Sequence, residues 1–319
     1  MGSDLKGYKL ILLPVIFLLL VIVPNFLSAF YKQLLIEILI FGLFSLGFDI
    51  IFGFTGLLNF GMAAFFGLGG YITLLTVLHW HVNLWIALIT TIIGCSLFSL
   101  LYGFLISRFK SHYFVAFTIV VSMIFFYIAM ANRPLTGSDE GLTFKVPPLD
   151  FGLFSFSFRN TMVKYYFVLA ICSIVLYAVW KFFRTPYGKA IIAVRENEDR
   201  ARLLGYNTQH LKIIAFTLSG VVSGLGGALY ALHLGFSSAN SFFWLWTARS
   251  VWWTIIGGTG TLIGAFIGPG VLVFFEDLIS TWNADLYLII MGVIMIMVII
   301  LAPQGIVGSI QAIFARRGR

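Results

Sequence analysis

Apolar runs long enough to cross a membrane recur along almost the whole of this 319-residue chain. A transmembrane α-helix needs about 17 to 25 predominantly apolar residues. The runs of this length are Leu10–Leu27, Leu34–Ile51, Gly61–Leu78, Leu84–Ile106, Tyr113–Ala131, Val163–Phe182 and Ile213–Leu232. Only 10% of the residues are charged, whereas about 25% are charged in soluble domains. The sequence therefore predicts an all-α integral membrane protein.

The C-terminal quarter contains one apolar stretch that is too long for a single span. It runs from Ser241 to Phe275 and is interrupted by the sequence GGTGT, Gly257–Thr261. Division at this point gives two passes, and Leu286–Leu301 adds a last run before the basic tail, residues 303–319. The prediction is a polytopic helical bundle of about 8 to 10 transmembrane helices. Two glycine-broken segments within it either cross the membrane or re-enter it.

Positive charge is concentrated in one central segment, Lys181–Lys212, which holds seven of the twenty Lys and Arg residues. Cytoplasmic loops of membrane proteins carry an excess of these residues. The rule places the loop 184–211 and the tail 303–319 in the cytoplasm, and the loop 132–162 on the extracytoplasmic side. Clustered positive charge beside apolar spans suits contact with membrane lipid, and no nucleic acid is expected as a partner. Residues 1–319 are predicted to form a single transmembrane domain.

The central segment carries signals for a short helix. Thr185 can cap a first turn that begins at Pro186, since proline suits the first helical position. Apolar residues recur at roughly helical spacing from Ala190 to Leu204, and Gly205 with Asn207 is predicted to end the helix. Two interpretations follow from this pattern. The helix either contacts a soluble partner subunit or belongs to a solvated cytoplasmic loop.

Two glycine-rich breaks share the pattern G-x-T-G-x-L. Break 1 is Gly53–Gly61, with the sequence GFTGLLNFG, and break 2 is Gly257–Thr261. Unwound backbone at membrane depth is tolerated only where it faces protein or water, and matched breaks in two halves of a transporter indicate a substrate path. The alternative is that these small residues only pack helices closely. The candidate path residues in the breaks are Gly53, Thr55, Gly56, Asn59, Gly61, Gly257, Gly258, Thr259 and Gly260.

Arg249 is a further candidate for the substrate path. It lies near the start of an apolar run, in the sequence WTARSVWWTIIGG. An arginine within a membrane is costly unless it is paired, faces water or lies near the surface. The side chain is therefore expected either to meet a carboxylate, from the substrate or from a residue such as Glu276, or to anchor the helix at the membrane interface.

Groups that could perform covalent chemistry are scarce. The sequence lacks the G-x-x-x-x-G-K-[ST] phosphate loop, and it lacks any Ser, His and Asp set or carboxylate pair that indicates hydrolysis. His79 and His81 lie at the end of a span, where interfacial polar residues are ordinary. Cys95 and Cys172 lie within apolar runs and are expected to pack there. The sequence therefore predicts no catalytic residue, no metal site and no cofactor bound by this chain.

Several sequence blocks together carry a family resemblance. They are GFTGLLNFGMAAFFGLGGYIT, LTGSDEGL, RTPYGKAIIAVRENEDRARLLGYNTQHLKIIAF, IIGGTGTLIGAFIGPG and, near the C-terminus, APQGIVG. In combination they resemble the permease subunits of branched-chain amino-acid ABC importers, of the LivM type. The resemblance implies that residues 1–319 form one permease domain in a bacterial inner membrane. It also implies inward transport of branched-chain or related small amino acids by alternating access.

The same resemblance implies a set of partners. They are a second homologous permease, identical or different, two cytoplasmic ATPase subunits that use ATP and Mg, and an extracytoplasmic substrate-binding protein. In this family the loop that matches Pro186–Asn207 supplies the coupling helix. The residues that would face the ATPase are Arg195, Glu196, Asn197, Glu198 and Gly205.

Two departures from the family pattern keep the substrate open. Asn59, Phe60, Gly61 and Met62 stand where the family often has Ser-Leu-Gly-His, and Arg249 stands where an acidic residue often precedes the second break. Permeases for urea, short-chain amides and small carboxylates are closely similar, so these substrates remain alternatives. A nucleotide-independent channel or secondary carrier is the remaining alternative for the class of transporter, although it would not need a coupling helix.

Overall fold

The computed structural model describes residues 18–107, 111–150, 155–282, 287–301 and 304–310. The helices are α1 (Ala29–Phe52), α2 (Met62–Trp80), α3 (Leu84–Ile106), α4 (Ser111–Ala131), α5 (Thr161–Arg184), α6 (Pro186–Glu196), α7 (Glu198–Leu203), α8 (Thr208–Leu234), α9 (Trp244–Gly257), α10 (Gly264–Trp282) and α11 (Tyr287–Leu301). Six of them, α1 to α5 and α8, are long and apolar enough to cross a membrane. The prediction of an all-α polytopic membrane protein is confirmed.

Short elements connect the helices. Val23–Phe26 and Ala239–Phe242 are 3₁₀ helices, and Arg133–Thr136 forms a single helical turn. The strands contain two residues each: β1 (Leu142–Thr143), β2 (Leu149–Asp150), β3 (Ser155–Phe156) and β4 (Phe236–Ser237). Strand β1 pairs antiparallel with β4, and β2 pairs antiparallel with β3. The first pair attaches the 132–150 segment to the chain that follows α8.

The two ends of the helical bundle are distinct. We call the end that carries α6 and α7 the island end, and the end that carries the β1–β4 pair the loop end. Helices α1, α3, α5 and α9 run from the loop end to the island end, whereas α2, α4, α8 and α10 run in the opposite direction. The ion pair between Arg249 of α9 and Glu276 of α10 and the hydrogen bond from Gln209 to Ser107 fit this alternation.

Helix α1 lies at the centre of the bundle, since every residue from Leu39 to Ile51 is buried. Helices α2 and α8 approach each other through glycines. A methyl group on Gly69 would overlap the backbone of Gly224, and one on Gly227 would overlap the backbone carbonyl of Phe66. Small residues let membrane helices pack this closely, which supports the packing interpretation for glycines outside the breaks.

The helix bounds differ from the expected runs in one informative place. Helix α1 begins at Ala29, five residues before the expected start at Leu34, so Glu37 lies within the helix and away from its end. Most of the expected first span, Leu10–Leu27, lies outside the described residues. Most of the tail 303–319 also lies outside them.

Candidate functional site

The two glycine-rich breaks meet at the island end. The carboxylate of Asp49, in the last turn of α1, accepts a hydrogen bond from the Gly260 backbone N–H, with an oxygen-to-nitrogen distance of 2.8 Å. A methyl group on Gly53 would overlap both this carboxylate and the Gly260 nitrogen. Break 1 and break 2 are thus held together by backbone contact and one buried carboxylate, although 211 positions separate the bonded residues.

Arg195, the penultimate residue of α6, lies against both breaks. A Cβ atom on Gly56 would be 3.1 Å from its Cγ, and a Cβ atom on Gly260 would be 3.2 Å from its Nη1. Gly56 and Gly260 have φ angles of 77° and 74°, which favour glycine because a side chain is strained there. The charge of Arg195 also acts on the Asp49 carboxylate. We call Asp49, Gly53, Gly56, Arg195 and Gly260 the glycine junction.

The remaining path candidates of break 1 are Thr55, Asn59 and Gly61, and they lie against α1 or α4. Asn59 is fully buried, and its Oδ1 accepts a hydrogen bond from the Gly61 N–H at 2.8 Å. A methyl group on Gly61 would press on the Thr118 carbonyl. Thr55 is buried and donates to the Ile50 carbonyl at 3.1 Å, which folds break 1 back onto α1.

The remaining candidates of break 2 pack towards the C-terminal helices. Gly257 lies against the Gly264 carbonyl at the start of α10, and Gly258, with a φ of 115°, lies beside the Gln304 carbonyl and the Gly308 nitrogen. Thr259 is half-buried. The predicted path glycines therefore fall at a crossing point of several chain segments on the island end.

The segment predicted to contact an ATPase, Pro186–Asn207, forms two helices and not the single one predicted, and we call it the coupling segment. Thr185 caps α6 as expected, because its Oγ1 accepts from the Gly188 N–H at 3.3 Å. The chain then breaks at Asn197, whose Oδ1 accepts from the Arg200 N–H at 2.8 Å and starts α7. Asn197 is thus a second cap after Thr185, and because an asparagine side chain competes with the backbone hydrogen bonds of a continuing helix, it is the sequence signal for the break. Gly205 has a φ of 89° with open space around it.

Glu198 fixes α7 to the start of α8. Its carboxylate lies 2.6 Å from the Lys212 Nζ and 3.2 Å from the Arg202 Nη2. Burial disfavours its charged form, but the hydrogen bonds and charges of Lys212, together with Thr208 and Arg202, outweigh burial and lower the pKa of Glu198. Of the other predicted coupling residues, Arg195, Glu196 and Asn197 are exposed.

Arg249 does not belong to the glycine junction. It lies in the second turn of α9, near the loop end, and its Nη2 is 3.4 Å from the Glu276 Oε1. Its guanidinium also lies 5.5 Å from the ring centre of Trp246. The structure therefore contains the Arg249–Glu276 pair that was considered from the sequence, at the opposite end from the two breaks.

Metal chemistry has no support among the described residues. No three His, Cys, Asp or Glu side chains in that part of the chain lie close enough together to hold a metal ion. Cys95 and Cys172 are both buried free thiols, in agreement with a packing role.

Comparisons with known proteins address the family directly. The model of the family described as "Branched-chain amino acid transport system / permease component" matches residues 30–299. The chain belongs to this family. The permease family therefore accounts for nearly all of the described bundle, including both breaks and the coupling segment.

Individual relatives of this permease agree with that assignment. The high-affinity branched-chain amino acid transport system permease protein LivM of Salmonella typhimurium is 26% identical over 84% of this chain and 68% of its own length, and LivM of Escherichia coli gives the same values. The autoinducer 2 import system permease protein LsrC of Yersinia pestis is 30% identical over 38% of each chain. No solved structure matches.

Proposed function

We propose that this permease subunit moves branched-chain or related small amino acids into the cell by alternating access, driven by separate ATPase subunits. The glycine junction is the observation that carries the proposal. It brings Arg195 of the coupling segment into contact with both breaks, so a displacement of α6 acts at once on the ends of α1 and α9. Coupling between distant sites requires an element that can adopt two arrangements. We propose that α6 and the two breaks together form this element.

The island end offers a surface that suits a soluble ATPase subunit. Leu203 and Leu204 are 88% and 74% exposed, and Tyr206 is exposed beside them. Apolar side chains grouped at the polar end of a membrane protein indicate a covered surface. Two cytoplasmic ATPase subunits that use ATP and Mg are therefore proposed as partners there, and this chain itself has no role in hydrolysis.

Two further partners complete the proposed importer. A substrate-binding protein would dock at the loop end, where the 132–150 segment is ordered by the β1–β4 pair and by the Arg133–Glu140 ion pair at 2.8 Å. A second permease, identical or different, would complete the pathway. The proposed location is a bacterial inner membrane.

A second candidate substrate class has its own support. The LsrC relative is named for autoinducer 2 import, so permeases similar to part of this chain serve solutes other than amino acids. Urea, short-chain amides and small carboxylates belong to the same alternative.

The test is uptake of radiolabelled leucine into proteoliposomes that contain the permease with the ATPases, second permease and binding protein purified from its native host. We expect ATP-dependent uptake that isoleucine and valine inhibit and that urea and acetamide do not. Uptake without ATP would support a channel or carrier. Inhibition by urea or acetamide alone would reassign the substrate.

The coupling step is tested with Arg195→Leu. We expect ATP hydrolysis to continue while leucine uptake falls by about tenfold, because coupling free energies are typically about 1 to 3 kcal/mol. Arg184→Leu is the matched control, since Arg184 is exposed and stacks on Trp180, 3.6 Å from its ring centre. Equal uptake by both variants would remove Arg195 from the coupling mechanism.

A further inference from the structure

A cavity of about 270 Å³ opens near the loop end, between α1, α8, α9 and α10. We call it the outer cavity, and six of its lining residues define it: Glu37, Phe41, Tyr230, Trp246, Arg249 and Glu276. Arg249 lies five residues after the first residue of α9, Trp244, which is about 8 Å along the helix axis. The volume of the cavity lies just below the range of about 300 to 1,000 Å³ of sites for drug-sized ligands, so it suits only a smaller solute.

Three helices place four charged side chains in the lining of the outer cavity: Glu37 from α1, Arg249 from α9, and Glu276 with Asp277 from α10. Arg249 and Glu276 pair at 3.4 Å, yet their side chains remain 36% and 29% exposed. Glu37 approaches the cavity from α1, where its Oε1 lies 3.7 Å from the His233 Nε2. The contact with Glu276 uses one of the five N–H donors of the Arg249 guanidinium. The outer cavity thus presents one cation and three carboxylates to a bound solute.

Aromatic rings form the other wall of the outer cavity. Phe41 and Tyr230 have ring centres 5.5 Å apart, Phe41 and Trp246 are 5.6 Å apart, and Tyr230 and Trp246 are 5.5 Å apart. Phe41 also stacks on Trp253 at 4.9 Å, which fixes the wall from below. A group of mutually packed rings gives a rigid apolar surface beside the charges.

We infer that the outer cavity binds a zwitterionic α-amino acid with an apolar side chain. The inference rests on the proposed function and deepens it. The planar guanidinium of Arg249 matches a carboxylate, which it can hold through two parallel hydrogen bonds. Glu37 and Glu276 accept hydrogen bonds from the ammonium group. The aromatic wall then takes the side chain of the amino acid.

The arrangement of charges separates this ligand class from the alternatives. Urea and short-chain amides carry no charged group, so they would form no ion pair with Arg249, Glu37 or Glu276. A small carboxylate would satisfy Arg249 alone. Phosphatidylethanolamine has a zwitterionic headgroup of similar chemistry, and thiol labelling in membranes with and without this lipid distinguishes it from a free amino acid.

The test uses a single introduced thiol at the cavity. Both natural cysteines are buried, whereas Ser280 is exposed and lines the cavity, so Ser280→Cys supplies a thiol that a charged methanethiosulfonate reagent can reach. Leucine at about ten times its dissociation constant should slow labelling by about tenfold in the assembled transporter, by mass action. Leucinamide lacks the carboxylate and 4-methylpentanoate lacks the ammonium group, so neither should protect at the same concentration.

Matched variants make the result specific to Arg249. In the Ser280→Cys background, Arg249→Met should abolish protection by leucine, and Arg184→Met should leave it intact. Ser157→Cys places an exposed thiol on the extracytoplasmic loop, and its labelling should not depend on leucine. Protection of Ser280→Cys that survives Arg249→Met would overturn the inference.

Two further outcomes separate this inference from others. The labelling rate of Ser280→Cys could be independent of leucine and rise when phosphatidylethanolamine is replaced by phosphatidylcholine. This result would assign the cavity to lipid and overturn the inference. Leucine uptake measured in the same preparation distinguishes the two proposals. Normal uptake without protection rejects the outer cavity alone, whereas uptake of urea in place of leucine rejects the proposed function.

Discussion

The glycine junction and the outer cavity lie at opposite ends of the same helices and are built in opposite ways. At the junction, backbone meets backbone, and a methyl group on Gly53 already overlaps its neighbours. At the cavity, long side chains enclose about 270 Å³ of open space, and the Arg249–Glu276 pair stays partly exposed. A close contact transmits displacement, whereas an open pocket admits a ligand. The difference supports the two proposals, in which coupling takes place at the island end and solute recognition at the loop end.

The largest expected effect is at Asp49, which is fully buried and bonded to Gly260. Asp49→Leu removes the acceptor of a buried N–H and should destabilise the protein by about 2 to 3 kcal/mol. Asp49→Asn keeps an acceptor oxygen and should lose less. Thermal unfolding in nanodiscs, followed by tryptophan fluorescence, measures both variants. Equal losses would mean that charge, and not the hydrogen bond, holds the breaks together.

A smaller effect is expected when the junction is overfilled. Gly53→Ala places a methyl group against Asp49 and Gly260 and should cost about 2 kcal/mol, as overpacking of a close contact does. Gly292→Ala is the matched control, because a Cβ atom there has open space around it. The unfolding midpoint should fall for Gly53→Ala only. The same unfolding midpoint for both variants would show that the junction accommodates a methyl group without loss of stability.

A substitution of a charged residue in the outer cavity should change the stability of the protein less than one in the junction. Glu276→Gln removes one charge of a partly exposed pair at 3.4 Å, which should change stability by no more than about 1 kcal/mol. Its unfolding midpoint should therefore lie well above that of Asp49→Leu. A loss as large as that of Asp49→Leu would remove the contrast between the two regions.

The smallest expected effect depends on pH and concerns Glu198. Because its folded-state pKa is lowered from 4.5, its stabilising contribution is complete above about pH 4.5 and is lost as the pH falls through the folded-state pKa. Glu198→Gln should lower the unfolding midpoint at pH 7 by an amount that corresponds to about 0.5 kcal/mol. The gap to the wild-type protein should shrink towards pH 3. A constant gap would exclude ionisation of Glu198 as the cause.

Much of the fold could be predicted because it depends on local properties of the chain. Apolar runs gave the positions of the spans within a few residues, and Thr185 gave the start of α6. The shared G-x-T-G-x-L pattern identified two special places in the chain. It could not predict that they touch, since that contact depends on how distant helices pack.

The side chains that form the glycine junction and the outer cavity were harder to predict, because their contacts also depend on how distant helices pack. Asp49 lies four residues before break 1 in the sequence, but its side chain accepts a hydrogen bond from break 2. The early start of α1 moved Glu37 from a helix end into the helix, where it meets Arg249 and Glu276 around one cavity. Each of these residues looks like an interfacial charge when its own run is considered alone.

Helix α8 has a consequence for communication across the membrane. Its 27 residues form a rod of about 40 Å. One end is followed directly by β4, which pairs with β1 of the 132–150 segment at the loop end, and the other lies one turn before Lys212, which forms an ion pair with Glu198 at the island end. A displacement of the 132–150 segment can therefore reach the island end through a single stiff helix. In the proposed importer, docking of a binding protein at the loop end would act on the ATPase end before any solute has crossed.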